Sequence, residues 1–460
     1  MTKPSIYNLT LSELSFALDA IHEGIDVKFM GISTDTRTLA AGDLFVALQG
    51  PNFDANDYVE QAAAKGAVAA LVSKSLQASI PTLQVADTRV ALGQLAALQR
   101  QLWDSEAKKP LIAITGSCGK TTTKSMLAAI MQQLGRVLAS KGTLNNDIGM
   151  PLTLVQLSET HDSAVIEMGA NHKGEISYLT SLAQPTIAVL TNVAPVHLEG
   201  FGSLDVIART KAEIFLGLGP TGIAIINADD PYATQWREDL QDKKVLSYAV
   251  LNDADVRGSN ITVNTVGEAS FQLNIDAKQI QINLPLLGTH NVMNALAAAT
   301  ASYVAGASLQ DIKAGLENLE PVTQRLVRRR GLQKIEIIDD SYNANPLAFR
   351  AALEVLALST GEKVLVMGQM NEMGDLSEQY HADVGHEAKK YGIQRLFGYG
   401  PLTQSAVKAF GANAEYFTDQ EQLIKELKKL LHPDMTILIK GSRGMRMENI
   451  VAALSEGVNP

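Results

Sequence analysis

The segment PLIAITGSCGKTTTKSMLAAIMQQLG constrains this chain more than any other. A β-branched run ends at Thr115, and glycines stand at Gly116 and Gly119. Lys120 and Thr121 follow, and Leu127, Ile130, Met131 and Leu134 then recur at helical spacing. A strand, a glycine turn and a helix start make a cradle for phosphate. Backbone N–H groups and the helix dipole face the anion, while a lysine adds a point charge. Gly116, Ser117, Cys118, Gly119, Lys120, Thr121 and Thr122 are therefore the expected nucleotide contacts, with the Thr121 hydroxyl placed to ligate Mg²⁺. The usual P-loop has an earlier glycine where this chain has Ile114, so the form is the shorter G-x-x-G-K-T. The competing reading is an ordinary glycine turn in a βα unit. Cys118 is expected to be a small loop residue, not a nucleophile, because no base partners it in the sequence. As the chain's single cysteine it also excludes an internal disulfide.

The rest of the 460 residues alternates short β-branched runs with longer amphipathic stretches, the pattern of α/β layers. That length predicts about three domains. Residues 1–87 read strand-rich around GISTDTRTL, DLFVALQG and AALVS. Residues 88–320 carry the strands LIAIT, AVIEM, TIAVLTN and GIAIIN, each ending in a polar or glycine-rich loop, as a mostly parallel sheet does. The helix SLQDIKAGLENL stops before Pro321. Residues 321–460 alternate again through KIEIID, KVLVMG, RLFGYG and TILIKG. They predict a second doubly wound sheet, whose ligands gather at the carboxyl ends of the strands. A net charge of −10 speaks against a nucleic-acid or anionic-membrane partner. No apolar run reaches the ~18 residues of a membrane span. MTKPSIYNLTLSEL lacks the basic-then-apolar pattern of an export signal. The expectation is a cytoplasmic protein, with a monomer as the default.

Further chemistry-bearing residues cluster in the middle of the chain. Glu167 ends AVIEM, at the strand end where a nucleotide-bound Mg²⁺ would sit; a solvated carboxylate is the plainer alternative. Asn192 and His197 follow the next strand in TNVAPVHLEGFG, where a hydrogen-bonding surface group is the plainer alternative. In LDVIARTKAEIFLGL the apolar stripe runs Leu204, Ile207, Ile214, Leu218, and Lys211 lies on the same face. A lysine there either snorkels outward or has its pKa depressed by desolvation. A neutral amine can take up carbon dioxide to form a carbamate, a new carboxylate able to bind Mg²⁺. Asn291 and Asn294, three apart beside His290, offer paired donors and acceptors for an adenine edge, or merely cap a helix. Asp339 and Asp340 end a strand in IIDDSYNANP, where one carboxylate can bind ribose hydroxyls. Arg325 precedes the run Arg328, Arg329, Arg330; most of that cluster is expected to be solvated, leaving one guanidinium for phosphate.

Together, TGSCGKTT, EMGANHKGEI, TNVAPVHLEGFGS, the Lys211 helix, GTHNVMNALAAA, IDDSYNANP and KGSRGMRME resemble the Mur ligase family of peptidoglycan synthesis over almost the whole chain. The resemblance implies three α/β domains: an N-terminal uridine-nucleotide-binding domain, a central P-loop-type ATPase domain, and a C-terminal Rossmann-like domain that binds the incoming amine and closes over ATP. It implies ATP-dependent amide bond formation through an acyl phosphate. KGSRGMRME and the His197 loop are similar to the branch whose substrates are UDP-N-acetylmuramoyl-tripeptide and D-alanyl-D-alanine, and the D-N-P-R motif of the diaminopimelate-adding branch is not found. By the same resemblance, Lys120 serves the β/γ-phosphates. Thr121 and Glu167 hold one Mg²⁺, and carbamylated Lys211 with His197 holds a second. Asn291 and Asn294 serve adenine, Asp340 ribose and Arg325 phosphate. Asn145 and Asn146 face the muramoyl substrate, and Ser33, Asp35 and Arg37 lie near the uridine nucleotide. Asn56 departs from the family, standing where a histidine is frequent. Two rivals remain. A folylpolyglutamate synthase needs a pterin pocket in place of the first 87 residues, and a P-loop switch or motor ATPase usually carries Asp where this chain has Glu167.

Overall fold

The structure is a computed structural model that describes residues 5–104, 108–196 and 198–456. Its strands form three main sheets. The first has five strands in the order Ile21–Glu23, Thr82–Gln84, Ala69–Val72, Asp43–Val46 and Gly31–Ser33, parallel except at the Ile21–Glu23 edge. Ala69–Val72 is buried at every position, as an interior parallel strand covered on both faces must be. The helix Thr88–Trp103 leaves this sheet from Asp87, whose carboxylate caps the N–H groups of Arg89 and Val90. It packs on the helices Gly149–Leu154 and Glu175–Ala183. Its apolar face, Ala91, Leu92, Leu95 and Ala96, shares one core with the first sheet and with one face of the central sheet.

The central sheet has nine strands. From one edge they run Val137–Ala139, Ser163–Glu167, Leu111–Thr115, Ile187–Leu190, Ile223–Asn227, Lys244–Ala249 and Val256–Val263, all parallel. Glu268–Ile275 and Lys278–Leu287 then continue antiparallel, an arm that the reading of parallel strands does not anticipate. In EASFQLNI buried and half-buried residues alternate, because only one face meets the core. That core also holds the helices Lys120–Met131 and His290–Val304. Alanines at 295, 297, 298, 299 and 301 let the second helix approach the first closely. Each fully buried Leu or Ile here contributes roughly 1.5–3 kcal/mol.

The third sheet runs Val327–Arg330, Glu336–Asp340, Met435–Lys440, Glu362–Gly368, Arg395–Tyr399 and Ala414–Phe417, antiparallel only at the first pair. Apolar clusters line both faces, the doubly wound arrangement expected from the alternation. Most of the arginine run is exposed, as expected: Arg329 and Arg330 face solvent and Arg328 is half-buried. On the strand Val327–Arg330 the three guanidiniums also find acids: Arg328 pairs with Glu336, Arg329 with Asp339 at 2.9 Å, and Arg330 with Glu456 at 3.5 Å. No helix among the described residues is long and apolar enough to cross a membrane.

Candidate active site

Strand register assembles the site. Leu111–Thr115 lies between Ser163–Glu167 and Ile187–Leu190, with Glu167 opposite Ile114 and Leu190 opposite Thr115. The three strands therefore end together, and Gly116, Glu167 and Asn192 meet at one carboxyl edge. Gly116 has φ +145°, and a Cβ there would sit 2.0 Å from Thr191 Oγ1. Gly119 has φ +80°, and its Cβ would fall 2.2 Å from Asn294 Oδ1. Both positions require glycine. Asn192 clamps the loop between them: its Oδ1 accepts the Cys118 N–H at 2.9 Å and its Nδ2 donates to the Cys118 carbonyl at 3.1 Å. Ser117 is bound in both directions to the backbone of Ala194. Asn345 Nδ2 reaches Cys118 Sγ at 3.2 Å, and burial pushes that thiol's pKa up, which suits a loop residue and not a nucleophile. Lys120 folds back, donating to the carbonyls of Gly116 (2.8 Å) and Ser117 (3.2 Å), and burial lowers its pKa.

Glu167 is 1% exposed. Its Oε1 accepts from the Thr121 hydroxyl at 3.2 Å and from Asn145 Nδ2 at 2.8 Å. Its Oε2 has no hydrogen-bond partner among the described residues and lies 3.4 Å from Lys124 Nζ. A buried carboxylate oxygen without a hydrogen bond, next to a hydroxyl, fits Mg²⁺, which takes few protein oxygens and fills its shell with water and phosphate. Among the described residues no group of three or more His, Cys, Asp or Glu is placed to hold a metal ion. His197 lies outside the described residues.

Lys211 does not snorkel. It is 1% exposed on the helix Leu204–Ala212, donates to the Ala170 carbonyl at 3.2 Å, and lies over the Phe201 ring. Burial first, then the charge of Lys120, lower its pKa to about 7. The stripe itself needs one correction: Ile207, Ile214 and Leu218 are buried, but Leu204 at the helix start is exposed.

The third sheet and the helix His290–Val304 close the site. Arg325 Nη2 donates to Thr121 Oγ1 at 3.1 Å, and its guanidinium stacks on Tyr342 with 4.4 Å to the ring centroid. Asp340 is held by Lys440 at 2.5 Å and accepts the Leu326 N–H. Asn291 Nδ2 donates to the Leu287 carbonyl, Asn294 Nδ2 donates to Asn291 Oδ1, and Asn294 Oδ1 accepts from Thr123. The two amides thus lean on each other and on the phosphate-loop helix, each keeping spare donor or acceptor capacity. His290 beside them has a buried Nδ1 with no hydrogen-bond partner among the described residues, and burial lowers its pKa to about 4.

Ser117 to Thr122, Glu167, Asn192, His290, Asn291, Asn294, Arg325, Asp340, Tyr342, Asn345 and Lys440 line one cleft of about 1250 Å³ between the central and third sheets, together with Asn145, Asn146, Arg89 and the segment Asn171–Glu175, while Gly116, Thr123, Lys124 and Lys211 lie behind its wall. Asn146 Oδ1 also caps the Gly149 N–H at 2.8 Å. Ser33, Asp35 and Arg37 are not among the lining residues. The Ser33 hydroxyl donates to the Asp35 carbonyl, and Arg37 holds the Asp35 carboxyl down to about 2. Asn56 is buried, with its amide satisfied by Asp54 and Ser73. Sequence reasoning missed Lys124 and Lys440. Lys124 stood on the buried Leu127–Met131 stripe, the signal that singled out Lys211, and Lys440 ends the apolar strand TILIK.

Three family models match the chain: "Mur ligase family, catalytic domain" over residues 28–100, "Mur ligase middle domain" over 114–302, and "Mur ligase, glutamate ligase domain" over 324–443. The UDP-N-acetylmuramoyl-tripeptide–D-alanyl-D-alanine ligase of Escherichia coli (strain K12) is 45% identical over 452 residues, covering 98% of this chain and 99% of the relative. A crystal structure of MurF from Acinetobacter baumannii superposes with a TM-score of 0.90 at 36% identity, covering 98% of both chains. MurF ligase from Thermotoga maritima in complex with ADP gives 0.82 at 25% identity, covering 92% of this chain and 96% of that one. With family models matched on all three sheets and a relative this similar along nearly its full length, the chain belongs to the Mur ligase family.

Proposed function

We propose that this chain uses ATP to join D-alanyl-D-alanine to UDP-N-acetylmuramoyl-tripeptide, giving the UDP-muramoyl-pentapeptide, ADP and phosphate for peptidoglycan synthesis. The observation that carries this reading is the meeting, in one cleft, of a phosphate loop, the buried carboxylate Glu167, Arg325 at the entry to the third sheet and Asp340 within it, in a chain 45% identical to a ligase of that name.

A carboxylate acylates poorly because its oxygen is a bad leaving group. The terminal carboxylate of the tripeptide attacks the γ-phosphorus of ATP, ADP leaves, and an acyl phosphate forms. The dipeptide amine then attacks the acyl carbon, loses a proton, and phosphate leaves. Phosphoryl transfer of this kind needs mostly positioning and charge stabilisation. The loop N–H groups from Gly119 to Thr122 cradle the phosphates, while the Ser117 and Cys118 N–H groups stay bonded to Asn192. Lys120 exchanges its two loop carbonyls for β/γ-phosphate oxygens, and Arg325 meets the transferred group. Asn291 and Asn294 turn their spare amide capacity to adenine, and Asp340 accepts from ribose. Thr121 and Glu167 would hold Mg²⁺, and His197 with Lys211 as its carbamate would hold a second; such cations would neutralise charge gathered between two anionic reactants.

Residues 1–87 serve as the UDP-muramoyl domain, with Ser33, Asp35 and Arg37 near the uridine nucleotide. Residues 88–320 form the ATP domain, with Asn145 and Asn146 toward the muramoyl peptide. Residues 321–460 receive the dipeptide and close over ATP. The protein works as a cytoplasmic monomer, and its net charge of −10 supports the reading that it has no nucleic-acid or anionic-membrane partner.

The deciding experiment measures phosphate release with ATP and Mg²⁺, adding the muramoyl-tripeptide and D-alanyl-D-alanine separately and together. Phosphate only with both, matched by pentapeptide, is the expected result. Turnover indifferent to both would make the protein a simple ATPase.

A further inference from the structure

Lys124 has no direct place in the reaction described above. It is 5% exposed, does not line the cleft, and lies one helical turn beyond Lys120. Its ammonium donates to the Gly142 carbonyl at 2.7 Å and stands 3.4 Å from Glu167 Oε2. The loop that contains Gly142 wraps the same carboxylate. Ser140 Oγ accepts the Glu167 N–H at 3.0 Å, Asn145 Nδ2 donates to Glu167 Oε1 at 2.8 Å, and the Asn145 carbonyl accepts the Gly169 N–H at 2.8 Å. Between those anchors residues 141–144 are exposed, and a Cβ on Gly142 would meet nothing within 4 Å. Farther along, Asn146 and Asp147 form part of the cleft wall.

We propose that Lys124 is a positioning residue that fastens the 140–147 loop to the Glu167 carboxylate, so that the wall facing the muramoyl peptide and the Mg²⁺ ligand move as one body. The proposal rests on the function proposed above. A buried ammonium is tolerated only when it is hydrogen-bonded and paired, and here the acceptor belongs to the loop and the counter-charge to Glu167. Removing the charge leaves the exposed turn without its inner anchor and Glu167 without its nearest cation. Neither change touches the part of the cleft formed by the third sheet.

The test compares wild type with Lys124→Met, which keeps the stem and loses the charge, and Lys124→Arg, which keeps the charge and moves it. In Lys124→Met, KM for the muramoyl-tripeptide and the Mg²⁺ concentration for half-maximal rate rise together by about 10–100-fold, the usual range for residues that orient a metal ligand. KM for D-alanyl-D-alanine stays unchanged, and Lys124→Arg falls between. Hydrogen exchange without nucleotide or metal shows faster exchange confined to residues 141–147. Equal losses for all substrates with faster exchange throughout the protein would reduce Lys124 to a packing role, and a variant matching wild type would overturn the proposal outright. If Lys124→Met does not fold, Lys124→Arg carries the same two readouts. If wild type makes no pentapeptide, the reading of function fails, while the exchange measurement still decides the anchoring.

Discussion

The Arg325 guanidinium donates to the Thr121 hydroxyl at 3.1 Å, and that hydroxyl donates in turn to Glu167 Oε1 at 3.2 Å. The segment entering the third sheet thus touches the phosphate loop directly. Both neighbours of Arg325 are left-handed, Gln324 at φ +63° and Leu326 at φ +51°, a conformation that non-glycine residues adopt only when their surroundings hold them. The Tyr342 ring under the guanidinium and the Tyr342 N–H bonded to the Gln324 carbonyl supply that hold.

Arg325→Ala should therefore lower kcat for phosphate release by about 10²–10³-fold, the range for losing one preorganised donor to a developing anion. Thermal stability should change little, because the side chain is only partly buried. Arg325→Lys should recover little, since a point charge does not reproduce the planar fork stacked on a ring. Steady-state kinetics with melting curves check both; a lysine variant near wild-type rate would remove the geometric role.

Gly119→Ala tests the contact between the loop and the helix His290–Val304. The left-handed backbone at φ +80° costs alanine about 1–2 kcal/mol. The added methyl also meets Asn294 Oδ1, which must withdraw from Thr123. ADP affinity, measured by calorimetry, should fall by about tenfold or more, each tenfold being ~1.4 kcal/mol. Unaltered ADP binding would mean that the helix yields freely.

What the sequence made legible was local. Strand, glycine turn, lysine and helix are contiguous in LIAITGSCGKTT, so the loop geometry follows from neighbours along the chain. Lys211 was readable as buried or snorkelling because its stripe lies on one helix, but only the packing around it decides between the two. Lys124 carried the same signal, yet its meaning depends on Gly142 and Glu167, which approach only when the strands Val137–Ala139 and Ser163–Glu167 pair. Asp340 and Lys440 stand 100 residues apart and meet because register sets them on one rung of a parallel pair. The antiparallel arm over 256–287 escaped notice although EASFQLNI alternates plainly. Polar residues interrupt each of these strands, so none of the three forms one continuous apolar run.

The Asp340–Lys440 pair yields a stability prediction. Both groups are buried, and Lys440 also donates to the Asn343 carbonyl. Lys440→Met leaves a buried carboxylate without its cation and should cost about 3–5 kcal/mol. Adding Asp340→Asn should return part of that loss, because the neutral amide no longer needs a counter-charge. Denaturant unfolding of the two variants checks this. A double variant less stable than Lys440→Met alone would mean that the aspartate, not the pairing, matters to the fold.

Lys211 gives a pH dependence whose sign is determined by burial. Its ammonium ionises near 7 in the folded protein, against 10.5 for a free lysine. Below pH 7 the lysine is charged in both folded and unfolded chains, so the folded state carries the whole cost of burying that charge. Above 10.5 the group is neutral in both and the cost is gone. Between these limits only the unfolded chain holds the proton, so wild-type stability rises with pH relative to Lys211→Met. In buffer freed of carbon dioxide the gain across that window should reach about 5 kcal/mol, from the size of the shift. A stability difference flat with pH would mean that the amine is hydrated and not desolvated. The same neutral amine is the form that takes up carbon dioxide, and bicarbonate should raise turnover of the carbon-dioxide-depleted wild type. Lys211→Ala should be inactive and recover in part with acetate or formate, whose carboxylate replaces the carbamate. Failure of both bicarbonate and acetate to restore turnover would leave Lys211 a buried amine with no role as a carboxylate.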